Sequence, residues 1–152
     1  MPRTLRVVFA GVCFMIASAT HAAPLRVLYF TKSSGFEHSV IKHGSDGQSY
    51  SEKILARLGE KHDIAFTFSK DGSLFTPEYL EGFDVLLFYT SGDLLTVGTD
   101  GTPAMTPAGK QALIDAVKQG KGFVGLHSCS DTFHTQEAGK PGEIPQLQGC
   151  RR

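Results

Sequence analysis

FDVLLFYT, residues 83–90, is the stretch on which the fold turns. Its unbroken Val85-Leu86-Leu87-Phe88 centre implies burial on both faces, the habit of a strand inside a parallel sheet. Working back from it, Thr76-Pro77-Glu78 supplies a cap, a first-turn proline and an acid at the positive end of a helix dipole, which predicts a short helix over Pro77–Glu81. Asp63 to Ser69 (DIAFTFS) alternates and reads as another strand. Gln48 to His62 carries Tyr50, Ile54, Leu55 and Leu58 at near-helical spacing, with Gly59 placed to stop the helix. Leu25 to Phe30 (LRVLYF), between Pro24 and Lys32-Ser33-Ser34-Gly35, reads as the first buried strand.

Working forward, Thr106-Pro107 repeats the cap-and-proline start. That helix runs to Gln119 with Leu113, Ile114 and Val117 on one face, and Gly120 supplies a left-handed stop. Gly122 to Leu126 (GFVGL) is the fourth strand. Apolar strands alternating with helix-length crossovers predict an α/β fold, a doubly wound parallel sheet in three α/β/α layers. No internal repeat is visible.

The composition admits one domain and excludes little else. Of 152 residues, 41% are hydrophobic and 20% charged, ordinary for a globular chain. Lys plus Arg and Asp plus Glu both number 15, so no basic face points to nucleic acid. The N-terminus reads as a secretory leader over residues 1–23. Arg3 and Arg6 precede an uncharged run from Val7 to Ala19, and Thr20-His21-Ala22 ends it in small residues suited to cleavage after Ala22 or Ala23. That run would make a helix of about 20 Å, short of the ~30 Å hydrocarbon core, so no stable membrane span is expected after cleavage. Val12 before Cys13 is wrong for lipid attachment. A periplasmic or secreted protein is expected, with an α/β domain over 24–136. In an oxidising compartment the two remaining cysteines, Cys129 and Cys150, could pair.

Residues 137–152 carry no periodic apolar pattern and read as an irregular tail. Four strands make a thin sheet, and no helix follows the last. The expectation is a domain incomplete at its C-terminus, whose final strand is open to pairing with another chain; a small complete domain is the alternative.

In open α/β sheets ligands gather beyond the carboxyl ends of the strands. The loop after the first strand carries Gly35, Phe36, Glu37 and His38, the loop after the third carries Ser91-Gly92-Asp93, and the loop after the fourth carries His127-Ser128-Cys129-Ser130-Asp131-Thr132-Phe133-His134. Gly125-Leu126-His127-Ser128-Cys129 has the spacing of a strand-turn-helix elbow, G-x-(nucleophile)-x-G, with His127 in the middle and Cys129 in place of the last glycine. A histidine there cannot run ordinary acyl-enzyme chemistry. Cys129 is expected to be a small buried residue; as the nucleophile of a hydrolase it would need a depressed pKa.

The strand at Arg26–Phe30 followed by Gly35-Phe36-x-His38, the FDVLLFYTSGD segment, the Thr106-Pro107 helix and GKGFVGLHSCSDTFH at Gly120–His134 together resemble the trehalose-utilisation (ThuA-like) family, related in fold to class I glutamine amidotransferases. The resemblance covers Leu25 to His134. It implies a flavodoxin-like sheet, export, and a role in carbohydrate metabolism on a trehalose or keto-sugar. By motif position it carries over His38, His127 and His134, with Asp93 and Asp131 as neighbours; Cys129 stands where the family has a smaller residue. His127, His38, His134 and Asp131 are thus candidate catalytic groups, and Ser128, Asp93 and Gly35 candidate substrate contacts. His38, His127 and His134 could instead hold a divalent metal such as zinc, three ligands and a water being the catalytic pattern; without metal they would act as acid and base on a sugar hydroxyl or carbonyl. His43 and His62 read as solvated. Whether the chain is an enzyme stays open against a non-catalytic carbohydrate-binding or interaction module and against an inactive fragment.

Overall fold

The computed structural model describes residues 23–133 of the 152, so the leader, the tail, His134 and Cys150 lie outside the described residues. The sheet holds β1 (Leu25–Phe30), β2 (Ile64–Ser69), β3 (Val85–Phe88) and β4 (Gly122–Gly125), all parallel, in the order β2-β1-β3-β4. The helices are α1 (Tyr50–His62), α2 (Pro77–Glu81) and α3 (Pro107–Lys118). Short 3-10 turns follow β2 at Gly72–Leu74 and β4 at His127–Asp131. The flavodoxin-like doubly wound order is therefore present: the chain steps outward from β1 to β2, then crosses back over β1 to β3.

Register sorts the two faces. Val27 pairs with Phe66 and Val85, while Leu28 pairs with Leu86. Leu28, Phe30, Leu86 and Phe88 point into one core with Leu80 of α2 and Leu113 of α3. Phe30, Phe75 and Phe88 make edge or tilted contacts there, with centroids 4.7, 5.1 and 5.9 Å apart, and Phe123 joins Phe88 at 5.2 Å. Truncating one ring in such a cluster costs about 3–5 kcal/mol.

On the opposite face α1 packs over β2. Tyr29 meets Phe68 there, while Val85 and Leu87 are half-buried and Val124 is 45% exposed. The expectation that β3 is buried on both faces is thus corrected: α2 and α3 cover one face, and no described helix covers β3 and β4 on the other.

Gly59 is also reassigned. It lies inside α1, which continues to His62 and ends on Asp63 in the left-handed conformation (φ 56°). A side chain at Gly59 would stand 2.5 Å from the Ile64 carbonyl oxygen and 3.1 Å from Phe66, so glycine here lets helix and strand approach. At its start α1 has a capping box. Ser49 Oγ accepts from the Glu52 amide at 3.3 Å, and Glu52 Oε2 accepts from the Ser49 amide at 2.7 Å. Buried Glu52 also meets His43 Nε2 at 3.1 Å, so His43 is tied down rather than merely solvated.

Candidate functional site

The turn after β4 has the elbow geometry that its spacing suggests. Leu126 is extended, and its amide donates to the Phe88 carbonyl at 2.8 Å. His127 then takes φ 50°, a left-handed value costly for a side chain with a Cβ, and the chain enters the 3-10 turn. Gly125 is small because a Cβ there would lie 3.0 Å from Cys129 Sγ. The turn is bolted to the end of β3. Ser128 Oγ donates to the Thr90 carbonyl at 3.2 Å, Thr90 and Thr132 share a 2.5 Å hydroxyl hydrogen bond, and the Phe133 amide donates to the Gly92 carbonyl at 2.9 Å. His127 is thereby pushed out into solvent from a fixed base.

Opposite it stands His38. The two imidazoles are 4.4 Å apart between centroids, and the Tyr89 ring lies 5.7 Å from each. The Phe36 and His38 rings make a T-shaped contact with centroids 4.9 Å apart. No hydrogen bond within the described residues occupies either imidazole; His127 is exposed and His38 half-buried. Tyr89 was not singled out from sequence, although it lies in the decisive stretch and directly follows β3, where the strand hands over to the site.

The crevice between β1 and β3, where an open sheet usually receives its ligand, is filled by the chain itself. Ser34 and Thr96 share a 2.6 Å hydroxyl bond, the Gly35 amide donates to Thr99 Oγ1 at 3.0 Å, and Thr99 Oγ1 donates to the Gly35 carbonyl at 2.8 Å. The Ser34 amide donates to the Ser91 carbonyl at 2.9 Å, and Ser91 Oγ donates to the Phe36 carbonyl at 3.0 Å. Gly92 sits at φ 72° with the Ser34 carbonyl where a Cβ would go. Gly35 is therefore stitched into this seam. Asp93 Oδ1 accepts from the Leu95 amide at 3.0 Å and shapes the turn, and Asp131 is exposed at the far end of the 3-10 turn. Of the candidate site residues, the structure brings His38 and His127 together, their ring planes tilted by 58°, with Ser128 following His127 in the turn.

A second polar cluster escaped the sequence reading. Lys32 and Lys70, each just beyond the end of a strand, are buried. Lys32 Nζ donates to the Thr102 carbonyl at 2.9 Å. The Lys70 side chain, 4% exposed, pairs with Glu37 and, at 2.9 Å, with Asp100. Burial pushes the Asp100 carboxyl up, but bonds from Thr102 and Lys70 outweigh it and hold it down at about 2. Burial likewise pulls the Lys70 ammonium down, and its two carboxylate partners more than restore it. This triad pins Glu37, the residue between Phe36 and His38.

Cys129 is buried as expected. Burial pushes its thiol up, against hydrogen bonds with Thr90 and Thr132, so the depressed pKa that a cysteine hydrolase needs is not there. Among the described residues no group of three His, Cys, Asp or Glu side chains converges as a metal site; the third histidine, His134, lies outside them.

Residues 26–140 match the family described as ThuA, trehalose utilisation. A solved ThuA-like protein from Bacteroides uniformis superposes with a TM-score of 0.52 at 16% identity, over 76% of this chain and 41% of that one. At such identity the likeness speaks for the fold, and this chain spans 41% of that relative's length. Among proteins of curated function, none matches the chain.

Proposed function

Because the chain belongs to the trehalose-utilisation (ThuA) family, we propose that it acts on a trehalose-type sugar or keto-sugar, with His38 and His127 exchanging protons with one hydroxyl or carbonyl of the ligand. The observation that carries this reading is the imidazole pair at 4.4 Å, one member held in a left-handed backbone conformation. Strain of that kind persists where surrounding structure over-determines it, and it clusters at functional sites. One neutral ring can take a proton while a protonated partner gives one, and no hydrogen bond within the described residues engages either ring. Tyr89 walls the pair on the β3 side.

The test is turnover of trehalose and of its keto form by the purified chain, beside His38→Ala. Loss of about 100-fold or more in the variant is expected; an equal rate in both proteins removes His38 from the chemistry, and binding without turnover in either favours the non-catalytic module. The same free nitrogens support a second reading, in which His38 and His127 are two of three zinc ligands and His134 is the third. Elemental analysis separates the two, since stoichiometric metal that disappears with His38→Ala assigns the pair to the ion. We further propose that residues 1–23 direct export to the periplasm or beyond, supported by the charged start and uncharged run of the leader. N-terminal sequencing of the exported protein should begin at Ala23 or Pro24, and an intact Met1 would end that idea.

A further inference from the structure

Phe36 is the most solvent-exposed large apolar side chain among the described residues, at 71%. Its backbone is nevertheless fixed on both sides. The Gly35 amide and carbonyl are bonded to Thr99, the Phe36 carbonyl accepts from Ser91, and Glu37 is locked to buried Lys70. An aromatic ring in water on a rigid support differs from one on a loose loop, because covering it requires no ordering of the chain. The ring also has a defined attitude, its plane 82° from that of the His38 imidazole. Val97, 64% exposed, lies between Thr96 and Thr99, the residues of the opposite loop that bond to Ser34 and Gly35.

The ligand that suits this corner must have an apolar face for Phe36 and polar groups for the two imidazoles. An alkyl chain offers nothing to the histidines. A nucleotide could stack, but its phosphates would need cations, and the nearby Lys32 and Lys70 are buried and engaged. A pyranose ring meets both demands, with C–H groups over one face and hydroxyls around its rim. We propose that Phe36 is the stacking platform of the site and takes the C–H face of a pyranose ring, leaving a hydroxyl or carbonyl on the rim beside the His38–His127 pair. The assignment rests on the carbohydrate reading of the same site and adds how the sugar is held.

The experiment measures binding of glucose and trehalose to the full chain by calorimetry, and KM where turnover is seen, for wild type, Phe36→Ala, Phe36→Leu and Phe36→Trp. Alanine should weaken both sugars roughly tenfold, with the loss appearing in KM. Leucine, apolar but not flat, should recover little, and tryptophan should restore binding or tighten it. Because the ring is exposed, melting temperatures should stay with the wild type. Wild-type affinity in Phe36→Ala overturns the platform, as does full rescue by leucine. If wild type binds sugar and Phe36→Ala binds equally well, only the platform falls. If wild type binds neither sugar, the carbohydrate reading falls and takes the platform with it.

Discussion

His127→Gly is expected to raise folding stability by about 0.5–1 kcal/mol while lowering the proposed sugar turnover by about 100-fold or more. The left-handed φ of 50° places Cβ against the following peptide, at a cost of roughly 1–2 kcal/mol for a residue with a side chain. Glycine removes that cost and returns part of it as backbone freedom in the unfolded chain. Little burial is lost in exchange, because His127 is exposed despite its contacts with His38 and Tyr89. His127→Ala separates the two effects. It keeps the Cβ and therefore the strain, so it should lose turnover as fully as glycine without the gain in stability. Urea melts of the three proteins decide the matter, and a less stable glycine variant would show that the backbone at 127 is relaxed.

Lys70→Met should cost about 3 kcal/mol at neutral pH. Methionine fills nearly the same space, so the loss comes from charge. Glu37, with a side chain 9% exposed, and Asp100, at 25%, would face each other without the ammonium that now joins them. The acid dependence should change as well. A carboxyl depressed to about 2, as Asp100 is, contributes stability above its unfolded pKa near 4 and loses that contribution as the pH falls toward 2. Wild type should weaken through this window, whereas the variant gains from protonation of its uncompensated acid, so the gap between the two should narrow from pH 4 downward. A gap of constant size would mean that the loss is one of packing. Combining Lys70→Met with Glu37→Gln and Asp100→Asn should recover part of the stability, since the unpaired charges are then gone.

The strands were legible from two patterns, the apolar runs of β1 and β3 and the alternation of β2. Leu25–Phe30 announces itself by composition, and the cap, proline and acid at Thr76–Glu78 mark the start of Pro77–Glu81. What local pattern could not decide was why a small residue is small. Gly59 has the look of a helix stop, yet its reason is the approach of Ile64 and Phe66, a fact about packing. The same limit governs the site. His38 and His127 stand out as polar groups at strand ends, but Tyr89 at the end of an apolar run reads as core. Lys32 and Lys70 read as ordinary loop lysines, since the partners that make their burial tolerable, Thr102, Glu37 and Asp100, are at least 30 residues away along the chain.

The strand order β2-β1-β3-β4 bears on how the chain reaches this state. Of the described strands β1 is synthesised first, and it sits in the interior of their sheet, yet every ladder in that sheet joins strands separated by at least a whole helix of chain. No hairpin can form early and hold the rest in place, so loop-closure entropy opposes folding until β1 and β3 have found each other. Such a topology folds slowly, on a scale of about milliseconds to seconds. Through that interval Val27–Phe30 and Val85–Phe88, the most apolar segments of the domain, are the ones left waiting in water, and they set the chain's exposure to aggregation before it is native.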